Sequence, residues 1–413
     1  MSFDHLRIDV DRLLARLDAL AQIGPTEGGG CCRLALTDED RRGRNLVVSW
    51  MHELGLVVQV DAIGNVFGFR AGRHDTAPVM TGSHIDTVRT GGRYDGNLGV
   101  LGGLELVRTL NDAGVVTDRP LVVAFFTDEE GARFAPDMLG SLVYVGGLSL
   151  DEALDLRAVD GARLGDELLR IGYAGSAPMG VHRPAAFVEL HIEQGPVLDA
   201  EGGVIGAVQD LQGISWQELT ITGQSNHAGT TPMRLRHDAG YAAAAVTHFV
   251  RELAREMGGA QVATVGKVDL YPNLINVIAA RATLTVDLRN TDEAMLKLAE
   301  SRLAAFLDRL AREEGVTVSA RRLARFEPVV FDAAVVQCIE TVARRLGHAP
   351  RRMTSGAGHD AQMLARVCPA AMVFVPSVRG ISHNAAEHTD PAHLAAGANV
   401  LMHTVLTLAR LEN

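Results

Sequence analysis

Cysteine is scarce: Cys31, Cys32, Cys338 and Cys368 are the only four in 413 residues, and none sits in a CxxC pair. This excludes a disulfide framework and a thiolate zinc cage, and points to a reduced, cytoplasmic protein. Basic residues are also in deficit, 39 Lys and Arg against 50 Asp and Glu, for a net charge of −11. That balance argues against nucleic acid or an anionic membrane as a partner. No apolar run reaches the roughly 18 residues of a membrane span. The opening MSFDHLRIDVDRLLARLDALAQIG carries acids throughout and apolar residues at helical spacing. It predicts an amphipathic surface helix, not a signal peptide.

What remains is an ordinary globular composition, 47% hydrophobic and 22% charged, long enough for about two domains. Thr37 is placed to cap a helix from about residue 38 to Gly55, with Asp40 at the capping-box position. Short strands are predicted at 57–61, 65–69 and 77–80, a helix at 97–113, and a buried strand over the apolar run 121–126. Helical segments fill 138–172, and 185–192 is a strand. From Gly213 the pattern becomes strand, helix, strand, strand, helix, strand, ending near residue 325. After residue 328 helices and strands alternate again, with helices at 332–346 and 391–411 and a strand at 371–376. The expected architecture is an α/β catalytic domain built on a mixed sheet, residues 1–212 and 328–413. Into it is inserted an α+β domain, residues 213–327, with two helices on a four-stranded sheet.

The chemistry centres on GSHIDTVRTGGRYDG, residues 82–96. His84 and Asp86 are two apart, so in an extended backbone they share a face, and Asp95 follows across a glycine-bearing loop. In 185–192, alternation sets Glu189, His191 and Glu193 opposite Val188, Leu190 and Ile192. Such a face is costly to bury without partners or a metal, and its bland alternative is a solvated edge. Collecting the polar residues at strand ends gives His84, Asp86, Asp95, Glu129, Glu130, His191 and His383, where open α/β sheets place their sites. Three imidazoles with several carboxylates suit divalent ions of the zinc class. Of the adjacent pair Glu129 and Glu130, one can ligate while the other faces substrate as a general base.

GSHIDTV, GGRYDG, DEEGARF, ELHIEQGP, GQSNHAGTTPM, SGAGHDA and GISHNAAE together resemble the dinuclear zinc amidohydrolases. That family includes N-carbamoyl-L-amino-acid amidohydrolase, allantoate amidohydrolase and β-ureidopropionase, within the aminoacylase and carboxypeptidase-like metallopeptidases. The resemblance runs through essentially the whole chain. It implies a zinc-peptidase-like catalytic domain and an inserted dimerisation or lid domain. It further implies two divalent ions, zinc with manganese or cobalt as alternatives, held by His84, Asp95, Glu130, His191 and His383, with Asp95 bridging. The family pattern implies His84, Asp95 and His383 about one ion and Asp95, Glu130 and His191 about the other, while the spacing itself leaves the grouping open. Glu129 would be the base, and Asp86 would fix the His84 ring from behind.

The same resemblance implies that Arg289 and Asn276 bind a substrate carboxylate, Gln194 touches the carbamoyl group, and His227 holds the oxyanion from the partner subunit of a homodimer. Gly358 and His359 join the substrate-binding residues, although His359-Asp360 also reads as a loop-stabilising pair. His227, in a Gly/Ser/Thr-rich loop, reads on its own as merely exposed. The implied reaction opens the C–N bond of a linear ureido acid, foremost an N-carbamoyl-L-amino acid, with allantoate and N-carbamoyl-β-alanine as alternatives. A catalytically silent binding protein on the same fold is the reading from another class.

Overall fold

The computed structural model describes residues 3–158 and 160–411, so residues 1, 2, 159, 412 and 413 of the expected catalytic range lie outside it. The chain divides into two compact units, Met1–Gln209 with Val330–Asn413, and Asp210–Val329.

In the first unit the strands are β1 (Val57–Val60), β2 (Val66–Arg70), β3 (Val79–His84), β4 (Leu121–Phe126) and β5 (Ala186–Ile192). β6 (Ile205–Leu211) leads out of the unit, and after the second unit come β11 (Val329–Val330), β12 (Pro350–Ser355) and β13 (Ala370–Val375). They form one nine-stranded sheet in the order β1-β2-β4-β3-β5-β13-β6-β11, with β12 beside β6. The pairs β3–β4, β3–β5 and β13–β5 are parallel, so these four strands point their carboxyl ends to the same edge. Every residue of the four is buried, which explains the apolar runs of β4 and β13.

The helices of this unit are α1 (Val10–Ala21), α2 (Asp38–Glu53), α3 (Asp95–Asp112), α4 (Leu139–Tyr144), α5 (Leu150–Asp155), α6 (Leu164–Ile171) and α7 (Val197–Glu201). α10 (Ala333–Arg345), α11 (Asp360–Leu364) and α12 (Pro391–Leu408) complete it. Thr37 caps α2 through the Asp40 N–H at 3.3 Å, while Asp40 itself reaches the Leu36 N–H at 2.7 Å, one residue before the cap.

Two expectations change, and one alternative is removed. β3 runs on through Thr81-Gly82-Ser83-His84, because these polar residues are buried under α3 and beside β5. Asp95 sits on the first turn of α3, not in a loop before it. β5 is a central strand, so the face of Glu189, His191 and Glu193 is buried and the solvated-edge alternative falls away. Glu189 can be buried there because Ser83 Oγ donates to Oε1 at 2.6 Å and the Ala361 N–H to Oε2 at 2.9 Å.

The second unit contains β7 (Gly213–Thr222), α8 (Ala239–Met257), β8 (Val262–Tyr271), β9 (Arg281–Asn290), α9 (Glu293–Glu314) and β10 (Thr317–Phe326). Its sheet is antiparallel in the order β10-β7-β9-β8. Leu284, Val286 and Leu288 of β9 pack with Val246, Val250 and Leu253 of α8 and Leu303 of α9. Period-two alternation then leaves Thr283, Thr285, Asp287 and Arg289 on the face away from the helices. Among the described residues no helix is long and apolar enough to cross a membrane.

Candidate metal centre

The first unit gathers its polar side chains at the carboxyl ends of β3, β4 and β5. His84 ends β3, and its Nδ1 lies 3.0 Å from the Asp86 carbonyl oxygen. His191, one residue before the end of β5, sets Nδ1 2.9 Å from the Ile192 carbonyl. Each carbonyl takes the Nδ1 proton, so in the neutral ring Nε2 carries a lone pair and faces inward. The start of α3 brings Asp95 between them. A Cβ on Gly96 would fall 2.2 Å from the His84 ring, so only glycine lets the helix begin this close.

Asp95 organises the site. Its Oδ1 is 3.3 Å from His191 Nε2 and 3.9 Å from His84 Nε2, and its Oδ2 is 3.5 Å from His383 Nε2. Glu130 Oε2 reaches the same His383 nitrogen at 3.2 Å. The donor atoms therefore form two groups that share Asp95: His84, Asp95 and His191, and Asp95, Glu130 and His383. This exchanges the partners of His191 and His383 relative to the grouping expected from the resemblance. The cause is topological: β3 and β5 are parallel neighbours, so His84 and His191 project side by side, their ring centroids 6.0 Å apart. His383 comes from a loop on the Glu130 side.

The residues present fit divalent cations. Asp95 Oδ2 and His191 Nε2 are buried without a hydrogen-bond partner: at 3.3 Å His191 and Asp95 attract, but they are not aligned as donor and acceptor. Buried orphan ligand atoms of this kind are costly unless a cation satisfies them. His359 and Glu189 also lie near His191, but Ser83 and Ala361 occupy the Glu189 oxygens and Ser355 Oγ sits 3.0 Å from His359 Nε2.

Electrostatics separates the roles. Burial, then the carboxylates of Asp360 and Glu130, push Glu129 well above the usual carboxylate range. Glu130 is raised to about 8 by burial and Asp95, against the pull of His383. Burial also raises Asp95, but His191 and His383 outweigh it and hold this carboxyl well below its ordinary value. His383 is lifted to about 11 by its contacts to Asp95 and Glu130. Burial lowers His84 to about 4. Glu129 Oε2 lies 3.4 Å from His84 Nε2, yet Glu129 belongs to neither donor group.

Asp86 acts differently from the expectation. Its carboxylate stays 3.9 Å from the His84 ring, and its backbone carbonyl makes the ring contact. The carboxylate instead accepts the N–H groups of Glu129 and Glu130, one on each oxygen at 3.3 Å, and so fixes both glutamates. Gln194 donates Nε2 to Asp95 Oδ1 at 3.2 Å and leaves Oε1 buried without a partner. Gly358 and His359 precede α11, with the His359 ring edge-on to His191 at 4.5 Å. Asp360 accepts from Ser141 Oγ at 2.6 Å, which supports the loop-stabilising reading of that residue. Asp128, Met138, Gln194 and His383 all adopt left-handed backbone, with φ of 56°, 53°, 57° and 54°. Non-glycine residues there are strained, and such strain concentrates at functional sites.

In the second unit His227, Asn276 and Arg289 are placed as follows. The His227 loop pairs with the Asn276 loop, the Ala228 N–H reaching the Asn276 carbonyl at 2.9 Å. His227 Nδ1 accepts the N–H groups of Gly229 at 3.0 Å and Thr230 at 3.2 Å. Its neutral ring therefore carries the proton on Nε2, as a donor. Arg289 gives Nε and Nη2 to Asp287 at 2.9–3.1 Å and lies over the Trp216 ring, 5.6 Å from its centroid.

The pattern of the family described as Peptidase family M20/M25/M40 matches residues 80–407. The chain belongs to this family. Within the M20/M25/M40 family, the N-carbamoyl-L-amino-acid amidohydrolase of Rhizobium meliloti is 43% identical over 409 residues, 99% of this chain and 98% of that one. The allantoate amidohydrolase of Bacillus subtilis is 34% identical over 396 residues, 95% and 96% of the two chains. A hydantoinase/carbamoylase family amidase from Burkholderia multivorans superposes with a TM-score of 0.93 at 48% identity, covering 99% of this chain and 100% of that one.

Glu387 escaped the sequence reading, although it closes the GISHNAAE motif. No local pattern marks it, because the two backbone N–H groups it accepts lie 292 and 293 positions earlier.

Proposed function

We propose that the protein hydrolyses the C–N bond of a linear ureido group beside a carboxylate. Its substrate is an N-carbamoyl-L-amino acid, released as the free amino acid with ammonia and carbon dioxide. The observation that carries this reading is the pair of donor groups sharing Asp95, with Glu129 beside them in neither. We place one divalent ion with His84, Asp95 and His191 and a second with Asp95, Glu130 and His383; zinc suits the donor set, and manganese or cobalt would also fit. When bound, such ions supply Lewis acidity and make water a nucleophile near neutral pH.

Glu129 takes the proton of the attacking water and returns it to the departing nitrogen. A carboxyl with a raised proton affinity suits a group that must both accept and give. His227 Nε2–H donates to the oxyanion of the tetrahedral adduct. Arg289 and Asn276 bind the substrate carboxylate, and Asp287 with Trp216 orients the guanidinium for that task. Gln194, Gly358 and His359 hold the carbamoyl end. The enzyme works as a cytoplasmic homodimer joined through the inserted unit, with His227 supplied by the partner copy.

A second reading, allantoate as substrate, is favoured by the Bacillus subtilis relative. The test is a turnover panel of N-carbamoyl-L-α-amino acids, N-carbamoyl-β-alanine and allantoate, each with zinc, manganese and cobalt. A preference for an N-carbamoyl-L-α-amino acid is expected. Faster turnover of allantoate would replace the reading, and no turnover by metal-loaded protein would favour a silent binder.

A further inference from the structure

Glu387 lies four residues after His383, in the loop between β13 and α12, and is only 4% exposed. Its Oε1 accepts the N–H groups of Tyr94 at 3.1 Å and Asp95 at 3.3 Å, and its Oε2 accepts Ser382 Oγ at 3.1 Å. α3 begins at Asp95, and the residue before it, Tyr94, gives the helix no side-chain acceptor. The first N–H groups of a helix need such an acceptor, and a carboxylate there also meets the positive end of the helix dipole. Glu387 fills this place from the far end of the sequence.

Two further details tie the same loop down. Thr90 Oγ1 donates to the His383 carbonyl at 3.0 Å. A Cβ on Gly92 would fall 2.1 Å from Glu387 Oε1, so a side chain at 92 would evict the carboxylate. The loop carrying His383 and the helix start carrying Asp95 are thus pinned to each other through one side chain.

We propose that Glu387 is a positioning residue for the group formed by Asp95, Glu130 and His383. It touches none of the three donor atoms. It sets the distance between Asp95 Oδ2 and His383 Nε2, now 3.5 Å, by holding the Asp95 main chain on one side and the hydroxyl of Ser382, next to His383, on the other. Because its partners are main-chain N–H groups and a hydroxyl, the reach of the side chain matters more than its charge. The inference rests on the two-ion reading above.

The experiment titrates chelated, dialysed protein with cobalt(II), followed by calorimetry and visible absorption, for wild type, Glu387→Gln and Glu387→Asp. Gln keeps the length and a carbonyl acceptor. Asp keeps the charge but withdraws it by about 1.5 Å, one carbon–carbon bond. Wild type should take two ions per chain, and Glu387→Gln should match it within about 3-fold in both affinities. Glu387→Asp should weaken one of the two ions about 10- to 100-fold, as for other residues that orient ligands, and change the other far less, so that the ratio of the two affinities shifts. A residue that only stabilised the fold would lower the melting temperature without changing the ratio of the two affinities. If Glu387→Asp does not fold, Gly92→Ala takes its place with the same expected loss. Two ions at wild-type affinity in the shortened or displaced variant, or an equal loss in Glu387→Gln, overturn the inference alone. A wild type saturating at one ion overturns the two-ion reading and the inference with it.

Discussion

Glu129→Gln isolates the proton-transfer step from everything else in the site. The substitution exchanges one oxygen for an amide nitrogen at nearly constant volume. The backbone at 129 is held independently, its N–H by Asp86 at 3.3 Å and its carbonyl by the Met138 N–H at 2.7 Å, so the main chain has no reason to move. Glu129 stands in neither donor group, so metal content should stay at the wild-type level. Loss of a general base costs about 10²- to 10⁴-fold, or ~3–5 kcal/mol on the barrier. Stability should move the other way. Besides burial, the groups that raise Glu129 are other acids, Asp360, Glu130, Asp86 and Asp95, and a neutral amide removes that repulsion. The expected outcome is at least a 100-fold fall in kcat, unchanged metal and a melting temperature equal to wild type or higher. Ammonia release, elemental analysis and calorimetry measure the three. Turnover within 10-fold of wild type would show that Glu129 is not the base, and Asp360, the acid that raises Glu129 most after burial, would be next to test.

Arg289→Lys keeps the charge but loses the planar fork, so kcat/KM for the N-carbamoyl amino acid should fall by about 2–3 kcal/mol in transition-state binding while its amide is little affected; an equal loss on both would make Arg289 structural. Asp61 offers a pH test away from the site. Burial raises it to about 6 against the hydrogen bonds it accepts from Asn65, so the fold favours its protonated form. That stability is full below about pH 4 and is lost as pH rises through 6, a change of about 3 kcal/mol. Asp61→Asn should therefore gain on wild type by up to that amount between pH 4.5 and 7.5 in urea unfolding, and a flat difference across the window would refute the assignment.

The elements that could be read from sequence are those whose burial is written in their own pattern. Leu121–Phe126 is apolar throughout because α/β strands are covered on both faces, and β9 alternates because only one face meets α8 and α9. β12, PRRMTS, carries no such signal: it is a largely polar strand at the side of β6, held also by the bonds of its Arg352 to Glu340 of α10. The donor residues were legible as chemistry because three imidazoles and several carboxylates collect at strand ends and in the segments that follow them. Their grouping was not, because it follows from β3 lying beside β5, a neighbour relation between segments about a hundred residues apart. Asp86 does hold the His84 ring, but through its carbonyl; what its carboxylate holds was not legible, because those two N–H partners belong to the loop after β4.

The left-handed backbone at Gln194 and His383 bears on how this chain would respond to selection. Each position holds a side chain that glycine could replace with relief of about 1 kcal/mol of backbone strain. The fold alone would therefore prefer to be rid of both. A library screened only for heat resistance would drift toward glycine or asparagine at 194 and 383, and, on the function proposed above, its survivors would be sturdier proteins short of a metal ligand. Any effort to harden this enzyme has to hold those two codons fixed.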